Sequence, residues 1–386
     1  METYSNAASE SASESQYFNH NAAPRSITRY ETLAREFITH HKSQCRRVVL
    51  VTSGGTTVPL ENQTVRFLDN FSAGTRGATS AEYFLQAGYA VIFLHRQFSQ
   101  LPYSRHYSHS THCFLDFMGE DEAGQHVIVK DEHREEMLHV LREYVAAKDN
   151  NMLLLLPFVT VTDYLWELRA IAKLMRPLGA SGLFYLAAAV SDFFIPENRM
   201  AEHKIQATEE YNRSNSKSDG ALENHSGAPL AAKMNGKRLV VDLEPVPKFL
   251  RLLTAGWAPG CMIISFKLET DPSLLLTKAK DALAKYQHHL VIGNLLATRK
   301  WEVVLVTADD DVKWIRVPAK KRNRSKSGIE ALVGEAERAK KDRLAQCEVD
   351  IKNVEKGDVL RGLEIESLIV PEVAHLHSKH IEKAKT

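Results

Sequence analysis

The chain has 386 residues, of which 44% are hydrophobic and 25% are charged, and its formal net charge is +1. This composition is typical of a globular protein, and the chain is long enough for one large α/β domain or two small ones. The near-neutral charge balance gives no reason to expect a nucleic acid as the main partner.

Three features of the sequence indicate the cellular compartment in which the protein works. The cysteines lie far apart and form no CxxC pair, which favours free thiols in a reducing environment: Cys45, Cys113, Cys261 and Cys347. The N-terminal residues have neither the cationic start nor the apolar core of a secretory signal. The longest nearly uncharged apolar stretch, 152–161, contains a proline and is too short to span a bilayer. We therefore expect a soluble cytoplasmic protein that binds no membrane.

Along the chain, a polar start gives way to alternating strands and helices. Residues 1–25 are rich in Ser, Ala and Asn and are predicted to be a disordered tail. Short apolar runs predict strands at 47–53, 89–95, 151–157, 183–191, 238–243, 262–268, 290–296 and 302–307. Helical spacing predicts helices at 27–43, 75–87, 131–148, 163–175, 247–256 and 272–287. This order predicts an α/β fold with a Rossmann-like, doubly wound, mostly parallel sheet and helices on both faces.

We expect residues 26–386 to form a single domain interrupted by two polar insertions, at about 207–237 and 318–350. The second insertion contains AKKRNRSK (319–326), a pattern of solvated loops that also occurs in nuclear-import signals, so a nuclear location stays open. The last segment, 362–384, has helical spacing through Leu363, Ile365, Leu368 and Ile369 and is predicted to dock on the sheet.

Ligands of an open parallel sheet bind beyond the carboxyl ends of its strands. The residues at these predicted ends suit a polar, phosphorylated ligand: Gly54, Gly55, Ser191, Asp192, Phe266, Lys267, Glu269 and Asn294. Turns favour Gly, Asp and Asn without any ligand, so these positions alone do not decide the matter.

The stretch RFLDNFSAGTRGATSAEYFLQAG (66–88) strengthens the case for an anion site. The Ser72 hydroxyl and the backbone N–H groups of residues 74–77 can point outward at a helix N-terminus, where the helix dipole favours phosphate. Arg66 offers a planar fork to phosphate or carboxylate, and Asn70 an uncharged amide that can donate to a carbonyl oxygen. Neither the Walker sequence nor GxGxxG is present, so spacing alone leaves a phosphate site and an ordinary helix start both open.

Five blocks of the chain resemble the phosphopantothenate–cysteine ligases, in their stand-alone eukaryotic form. They are the region 51–96 with DNFSAGTRG, FYLAAAVSDFFIPENRMAEHKIQ (184–206), VPKFL (246–250), IISFKLETD (263–271) and VIGNLL (291–296). The likeness runs from about residue 46 to 308. One departure is LEPVPK, where Glu244 and Pro245 replace a lysine and a methionine of the relatives, which puts a phosphate role at 244 in doubt but not at Lys248.

The resemblance implies ATP-dependent ligation of 4′-phosphopantothenate to L-cysteine through an acyl-adenylate, with Mg²⁺, as a step of coenzyme A biosynthesis. It also implies a homodimer in which part of each substrate site comes from the partner subunit. The preference for ATP over CTP rests on the resemblance alone.

The resemblance also implies roles for individual residues. The triphosphate would lie along Gly54, Ser72, Gly74 and Gly77, with the adenine at Phe266 and Asn294. Phosphopantothenate would lie along Asn70, Ala188, Ala189 and Asp192. Three residues would act in catalysis: Asn70 on the acyl carbonyl, Lys204 on the transferring phosphate, and Arg66 on a substrate carboxylate or phosphate.

Other interpretations remain. An NAD(P) oxidoreductase on the same fold requires an acid at the end of the second strand, but His95 and Arg96 stand there, which disfavours NAD and only weakly permits NADP. A non-catalytic nucleotide-binding subunit is a further alternative. The loop containing His106, His109, His112 and Cys113 has ligand-like spacing for zinc, but the spacing favours an ordinary polar loop, and we assign no metal ligands.

Overall fold

The computed structural model describes residues 14–107, 113–206, 230–235, 238–309, 311–318 and 363–385. At its centre is an eight-stranded sheet. In spatial order its strands are β7 (Leu153–Phe158), β4 (Ala90–Arg96), β1 (Val48–Ser53), β8 (Gly182–Leu186), β13 (Met262–Glu269), β14 (Leu290–Leu295), β15 (Glu302–Thr307) and β16 (Val312–Arg316). The first six are parallel, and the last two join antiparallel.

Helices cover both faces of this sheet. In chain order they are α1 (14–20), α2 (Ile27–Ser43), α3 (Thr75–Gln86), α4 (Asp131–Asp149), α5 (Val161–Met175), α6 (Phe249–Leu252), α7 (Pro272–Tyr286) and α8 (Glu366–Lys383). Successive residues of β1 enter opposite cores: Leu50 packs with residues of α2 and α5, and Val51 with residues of α3 and α8. Because both faces of β1 are fully buried, residues 48–51 form a continuous apolar run, and the polar Thr52 and Ser53 follow only at its end. The predicted mostly parallel, doubly wound α/β fold is confirmed.

Within the described residues, four two-stranded ribbons extend from this frame. The first, β2 (Thr57–Pro59) with β3 (Phe67–Asp69), follows β1 directly. The others are β5 (Met118–Glu120) with β6 (Val127–Val129), β9 (Phe193–Phe194) with β12 (Glu244–Pro245), and β10 (Ala232–Asn235) with β11 (Arg238–Val241). The first and third ribbons lie beside the chain that leaves β1 and β8, and so border the carboxyl edge of the sheet.

The prediction of a disordered tail over 1–25 is wrong for residues 14–25; residues 1–13 lie outside the described part. Tyr17 and Phe18 are buried in the core of the α2 and α5 face, and the Tyr17 ring lies 4.8 Å from that of Phe194. The Glu14 carboxylate accepts hydrogen bonds from Arg169 at 3.0 Å and from the Trp257 indole at 2.9 Å. Two aromatic anchors and one ion pair therefore order a segment whose remaining residues are polar.

Two predicted boundaries also change. The strand predicted at 183–191 ends at Leu186, because Ala188, Ala189 and Ser191 hydrogen-bond to the end of β1 and to the turn that follows it instead of continuing the ladder. The insertion predicted at 207–237 includes residues 232–235, which form β10 and pair with β11; 207–229, 236 and 237 lie outside the described residues. Of the second insertion only Pro318 is described.

The C-terminal segment docks as predicted. Leu363, Ile365 and Ile369 are buried in the core shared with α3, although the helix itself begins only at Glu366. The described cysteines Cys45, Cys113 and Cys261 are free thiols, as predicted. None of the described helices has both the length and the apolar character that crossing a membrane requires.

Candidate active site

Strands β4 and β7 lie on one side of β1, whereas β8 and the sheet strands that follow it in the chain lie on the other side. Ligands of doubly wound sheets bind at this switch point, between β1 and β8. Beyond the strands, Gly55 pairs with Ala189. The Ala189 N–H donates to the Gly54 carbonyl at 2.8 Å, and the Thr56 N–H donates to the Ala189 carbonyl at 3.1 Å. Backbone pairing therefore continues past both strands and fixes the two loops to each other.

Two threonine hydroxyls complete this junction. Thr52 Oγ1 accepts a hydrogen bond from the Ala188 N–H at 3.1 Å, and Thr56 Oγ1 accepts one from the Ser191 N–H at 2.9 Å. Sequence reasoning missed both threonines. The only signal was the polar TSGGTT run at the end of a buried strand, which was interpreted for its glycines.

The glycine-bearing turn and the start of α3 pack tightly around Ser53. A Cβ atom on Gly54 would lie 2.7 Å from the Arg96 Cβ, and one on Gly77 would lie 2.5 Å from the Ser53 Cβ. Gly54 and Gly74 both have φ of +83°, a left-handed conformation that favours glycine. The Ser53 hydroxyl donates to the Gly74 carbonyl at 3.0 Å. These contacts bring the predicted triphosphate residues together at the end of β1.

The N-terminus of α3 has the features of an anion site. Gly74 is its N-cap and supplies no side-chain cap, and the first intrahelical bond runs from the Ala78 N–H to the Gly74 carbonyl at 3.0 Å. The amides of residues 75–77 precede this bond and so lie outside the α-helical ladder, at the positive end of the helix dipole. The Ser72 hydroxyl accepts from the Gly74 N–H at 3.3 Å and thus shapes the turn itself.

Asn70 lies where the glycine turn meets the loop after β8. Its N–H donates to the Thr56 carbonyl at 3.1 Å. A Cβ atom on Gly55 would lie 1.6 Å from the Asn70 carbonyl oxygen, so only glycine at 55 lets the two backbones approach this closely. The half-buried Asn70 is therefore positioned by its backbone beside Ala189, as a site between two ligands requires.

Phe266 and Asn294 share the face of the sheet that α3 covers. Leu268 pairs with Asn294 across β13 and β14, and Phe266 lies two residues before Leu268, so all three point to one face. The Phe266 ring packs edge-on against Tyr185 at 5.0 Å and is half-buried, while Asn294 is buried. The residues predicted to bind the base thus lie on the same face as the helix predicted to bind the phosphates.

The predicted phosphopantothenate residues lie toward the opposite face. Ala188 packs against the core of the α2 and α5 face, as does Ile205, the neighbour of Lys204. Asp192 is exposed, and its carbonyl accepts from the Val246 N–H at 2.9 Å. Lys204 is exposed. The two predicted sets of residues therefore approach the carboxyl edge from opposite faces and meet near Asn70.

Arg66 has a protein partner. Its Nη1 donates to Glu61 Oε1 at 2.8 Å, and the Glu61 side chain is fully buried. Burial alone would raise the pKa of Glu61, but hydrogen bonds from Arg66 and Ile205 hold that pKa below its usual range. Sequence reasoning missed Glu61, since a single acid in a polar turn carries no signal of its distant partner.

Three other sequence features also have protein partners. Glu244, where relatives were expected to have lysine, pairs with Arg199 at 2.7 Å. Arg96, at the end of β4, pairs with Asp69 at 2.7 Å. His106 contacts Glu82 at 3.0 Å, and no group of three metal-ligating side chains occurs within the described residues; His109 and His112 are outside them, so a metal role of that loop stays untested.

Comparison with known proteins decides the family. No family model matches the sequence. The chain is 50% identical over 311 residues to phosphopantothenate–cysteine ligase CAB2 of Saccharomyces cerevisiae, an alignment that covers 80% of this chain and 81% of the relative. The chain belongs to the phosphopantothenate–cysteine ligase family. It is also 42% identical over 294 residues to the Homo sapiens phosphopantothenate–cysteine ligase, covering 75% of this chain and 85% of that one.

A solved structure agrees with this assignment. A Cab2 variant in complex with phosphopantothenate-cysteine superposes with a TM-score of 0.75 at 42% identity, covering 96% of this chain and 99% of that one. The resemblance seen in the sequence is confirmed, and this member of the phosphopantothenate–cysteine ligase family is an enzyme of the ligase class.

Proposed function

We propose that this ligase joins 4′-phosphopantothenate to the amine of L-cysteine, with ATP, through an acyl-adenylate. The products are 4′-phosphopantothenoylcysteine, AMP and diphosphate, in the pathway to coenzyme A. The observation that carries the proposal is the arrangement at the switch point. The start of α3, with glycine as its N-cap, lies on the same face as Phe266 and Asn294; Ala188 and the Lys204 segment lie on the other face, and Asn70 lies between. The names of the relatives and the molecule bound to the Cab2 variant support the choice of substrates.

In the first step the phosphopantothenate carboxylate attacks the α-phosphorus of ATP. A phosphorus–oxygen bond forms to the carboxylate, and the bond to diphosphate breaks. In this proposal the triphosphate oxygens accept hydrogen bonds from the amides at the start of α3, and the Lys204 ammonium neutralises charge on the transferring phosphate. The chain thus contributes mainly positioning and electrostatic stabilisation.

In the second step the cysteine amine attacks the acyl carbonyl carbon, and the bond from that carbon to AMP breaks while the amine loses a proton. Negative charge develops on the carbonyl oxygen during the attack. Asn70 Nδ2 is the donor that we assign to this oxygen, because its backbone is fixed at the junction between the two faces.

Mg²⁺ enters this proposal with the nucleotide. Within the described residues no three His, Cys, Asp or Glu side chains cluster, and we assign no protein ligand to the ion. Mg²⁺ commonly binds through substrate phosphates and water with few protein ligands, and it would supply charge neutralisation to the triphosphate.

We also propose that the enzyme is a homodimer. The first ribbon, its turn and the residues just after it expose four large apolar side chains: Val65, Phe67, Leu68 and Phe71. Such a cluster on a projecting ribbon is characteristic of a protein interface. Because the same ribbon contains Arg66 and leads to Asn70, a partner bound there would lie beside the substrate site. The cytoplasmic location remains a prediction from the sequence.

One assay tests the reaction. The purified protein is supplied with phosphopantothenate, cysteine, Mg²⁺ and either ATP or CTP, and diphosphate release is followed. We expect release that requires phosphopantothenate, with formation of phosphopantothenoylcysteine only when cysteine is added, and a higher rate with ATP. No release with either nucleotide, while a known ligase is active in parallel, would reject the proposed reaction.

A further inference from the structure

Glu61 is a buried acid to which the steps above give no role. It lies in the turn after β2, and its side chain has 0% exposure. A carboxylate removed from water is strongly destabilising unless charged or N–H partners surround it. Its partners therefore show what the residue holds in place.

The partners come from two segments. Oε2 accepts from the backbone N–H groups of Arg66 at 3.0 Å and Val65 at 3.4 Å. Oε1 accepts from Arg66 Nη1 at 2.8 Å and from the N–H of Ile205 at 3.3 Å. One oxygen atom thus binds both the Arg66 guanidinium and the residue that follows Lys204.

Two residues after Glu61 add bonds to the Lys204 segment, and Met200 and Ile205 also pack against the core. The N–H groups of Asn62 and Gln63 donate to the carbonyls of Ala201 and Glu202 at 2.9 and 3.1 Å. The side chains of Asn62 and Gln63 reach the Glu202 carboxylate at 3.0 and 3.3 Å, in exposed positions where water competes. If the segment moves away, the buried Glu61 carboxylate loses the Ile205 N–H as a donor. This loss is energetically unfavourable, so it stabilises the docked position of the segment.

We propose that Glu61 is a positioning residue for the ligation: it holds the Lys204 segment against the site, and the Arg66 guanidinium balances its buried charge. The inference rests on the proposed function for the part that Lys204 plays at the transferring phosphate. Its physical core, the docking of residues 200–206 by a buried carboxylate, is independent of that function.

The test begins with Glu61→Gln. A carboxamide keeps one acceptor oxygen but turns an N–H₂ group toward N–H donors. We expect amide hydrogen exchange in residues 200–206 to accelerate about 10-fold, and kcat to fall by about 10- to 100-fold while the KM for ATP changes less than about twofold. Glu202→Gln is the matched control: it weakens the exposed bonds of the same segment, and we expect exchange and kcat within about twofold of wild type.

Comparison of Lys204→Ala with the double variant Glu61→Gln/Lys204→Ala separates loss of positioning from a general loss of folding. If Glu61 acts through Lys204, the double variant is no slower than Lys204→Ala alone; multiplicative losses would overturn the proposal. Unchanged exchange in Glu61→Gln would overturn it as well. If that variant does not fold, Glu61→Asp, which keeps the charge but shortens the reach, is expected to show the same changes at smaller size. Failure of the proposed function itself is distinct: the wild type would then release no diphosphate, while the exchange comparison would still decide the docking.

Discussion

Gly77 of α3 lies directly against Ser53 at the end of β1, where a methyl group on residue 77 would be 2.5 Å from the Ser53 Cβ atom. This contact sets the distance between α3 and β1. It therefore sets the position of the helix N-terminus that we assign to the triphosphate.

Gly77→Ala tests the importance of this distance. Overpacking of this kind destabilises by about 1–3 kcal/mol, and relief requires α3 to move away from β1. We expect a lower melting temperature and ATP binding weakened about 10-fold, measured by calorimetry. Gly256→Ala is the control, because a Cβ atom there would meet nothing within 4 Å. Unchanged ATP binding in Gly77→Ala would show that the helix start does not hold the nucleotide.

Asn70→Asp removes the proposed donor to the acyl oxygen and adds a negative charge with little change in shape. The loss of one such donor typically lowers kcat by about 100- to 1000-fold. We expect this loss in steady-state diphosphate release, with nucleotide affinity changed less than about twofold. Asn150→Asp, at the exposed end of α4, is the control. An equal loss of nucleotide affinity would assign Asn70 a structural role instead.

Much of the fold followed from local patterns. The helix predicted at 27–43 has those bounds, and the parallel strands are apolar runs because both of their faces are buried. Boundaries failed where tertiary bonds override the pattern. The run LAAAVS continues the apolar signal of β8, but the Thr52 and Thr56 hydroxyls draw it into a loop.

The site was predictable where it depends on backbone and less so where it depends on distant partners. Glycines 54, 74 and 77 mark close approaches that glycine permits, and they are adjacent in space. Glu61 and Ile205 are 144 residues apart, and no local pattern links them. The same reason explains the ordered N-terminal segment, whose aromatic residues have their partners near residues 162–257.

Tyr17→Ala tests the docking of that segment. Tyr17 is buried, and its ring lies 5.5 Å from that of Phe249. Truncation of a buried aromatic ring typically lowers the free energy of unfolding by about 3–5 kcal/mol, and we expect the lower part of this range in urea titrations. The control Phe98→Ala removes a ring that is 96% exposed and should change this free energy by less than about 0.5 kcal/mol. Equal stability of the two variants would contradict the docking.

The buried environment of His377 predicts that the stability of the protein depends on pH. Its Nε2 contacts the Ala180 carbonyl at 2.8 Å and its Nδ1 the Tyr89 hydroxyl at 3.0 Å, which suits a neutral ring that donates to one and accepts from the other. Burial, with the nearby charges of Arg47 and His380, lowers its pKa to about 4. As the pH falls, His377 therefore binds a proton in the unfolded state before it does so in the folded state. The contribution of the neutral His377 ring to the free energy of unfolding is present above about pH 6.5 and is lost as the pH falls toward 4.

The measurement is the free energy of unfolding from pH 7.5 to 4 for the wild type and His377→Gln. We expect a shallower decline in the variant between pH 6.5 and 4. A glutamine keeps a donor and an acceptor without a titrating ring, so identical slopes would contradict the assignment.

Phe67→Lys tests the proposed dimer. A charge placed in an apolar interface opposes association, so we expect sedimentation to show dissociation at concentrations at which the wild type is dimeric. Val127→Lys changes an exposed apolar residue of another ribbon, at 76% exposure, and should leave the assembly intact. A monomeric wild type, or a dimeric Phe67→Lys, would reject this surface.

The most direct test of the central claim is a crystal structure with a non-hydrolysable ATP analogue and phosphopantothenate. We predict the triphosphate against the amides that begin α3, the adenine at Phe266, and the pantothenate carboxylate approaching from the opposite face beside Asn70. A triphosphate bound away from Gly74, or an acyl group beyond reach of Asn70, would contradict the account.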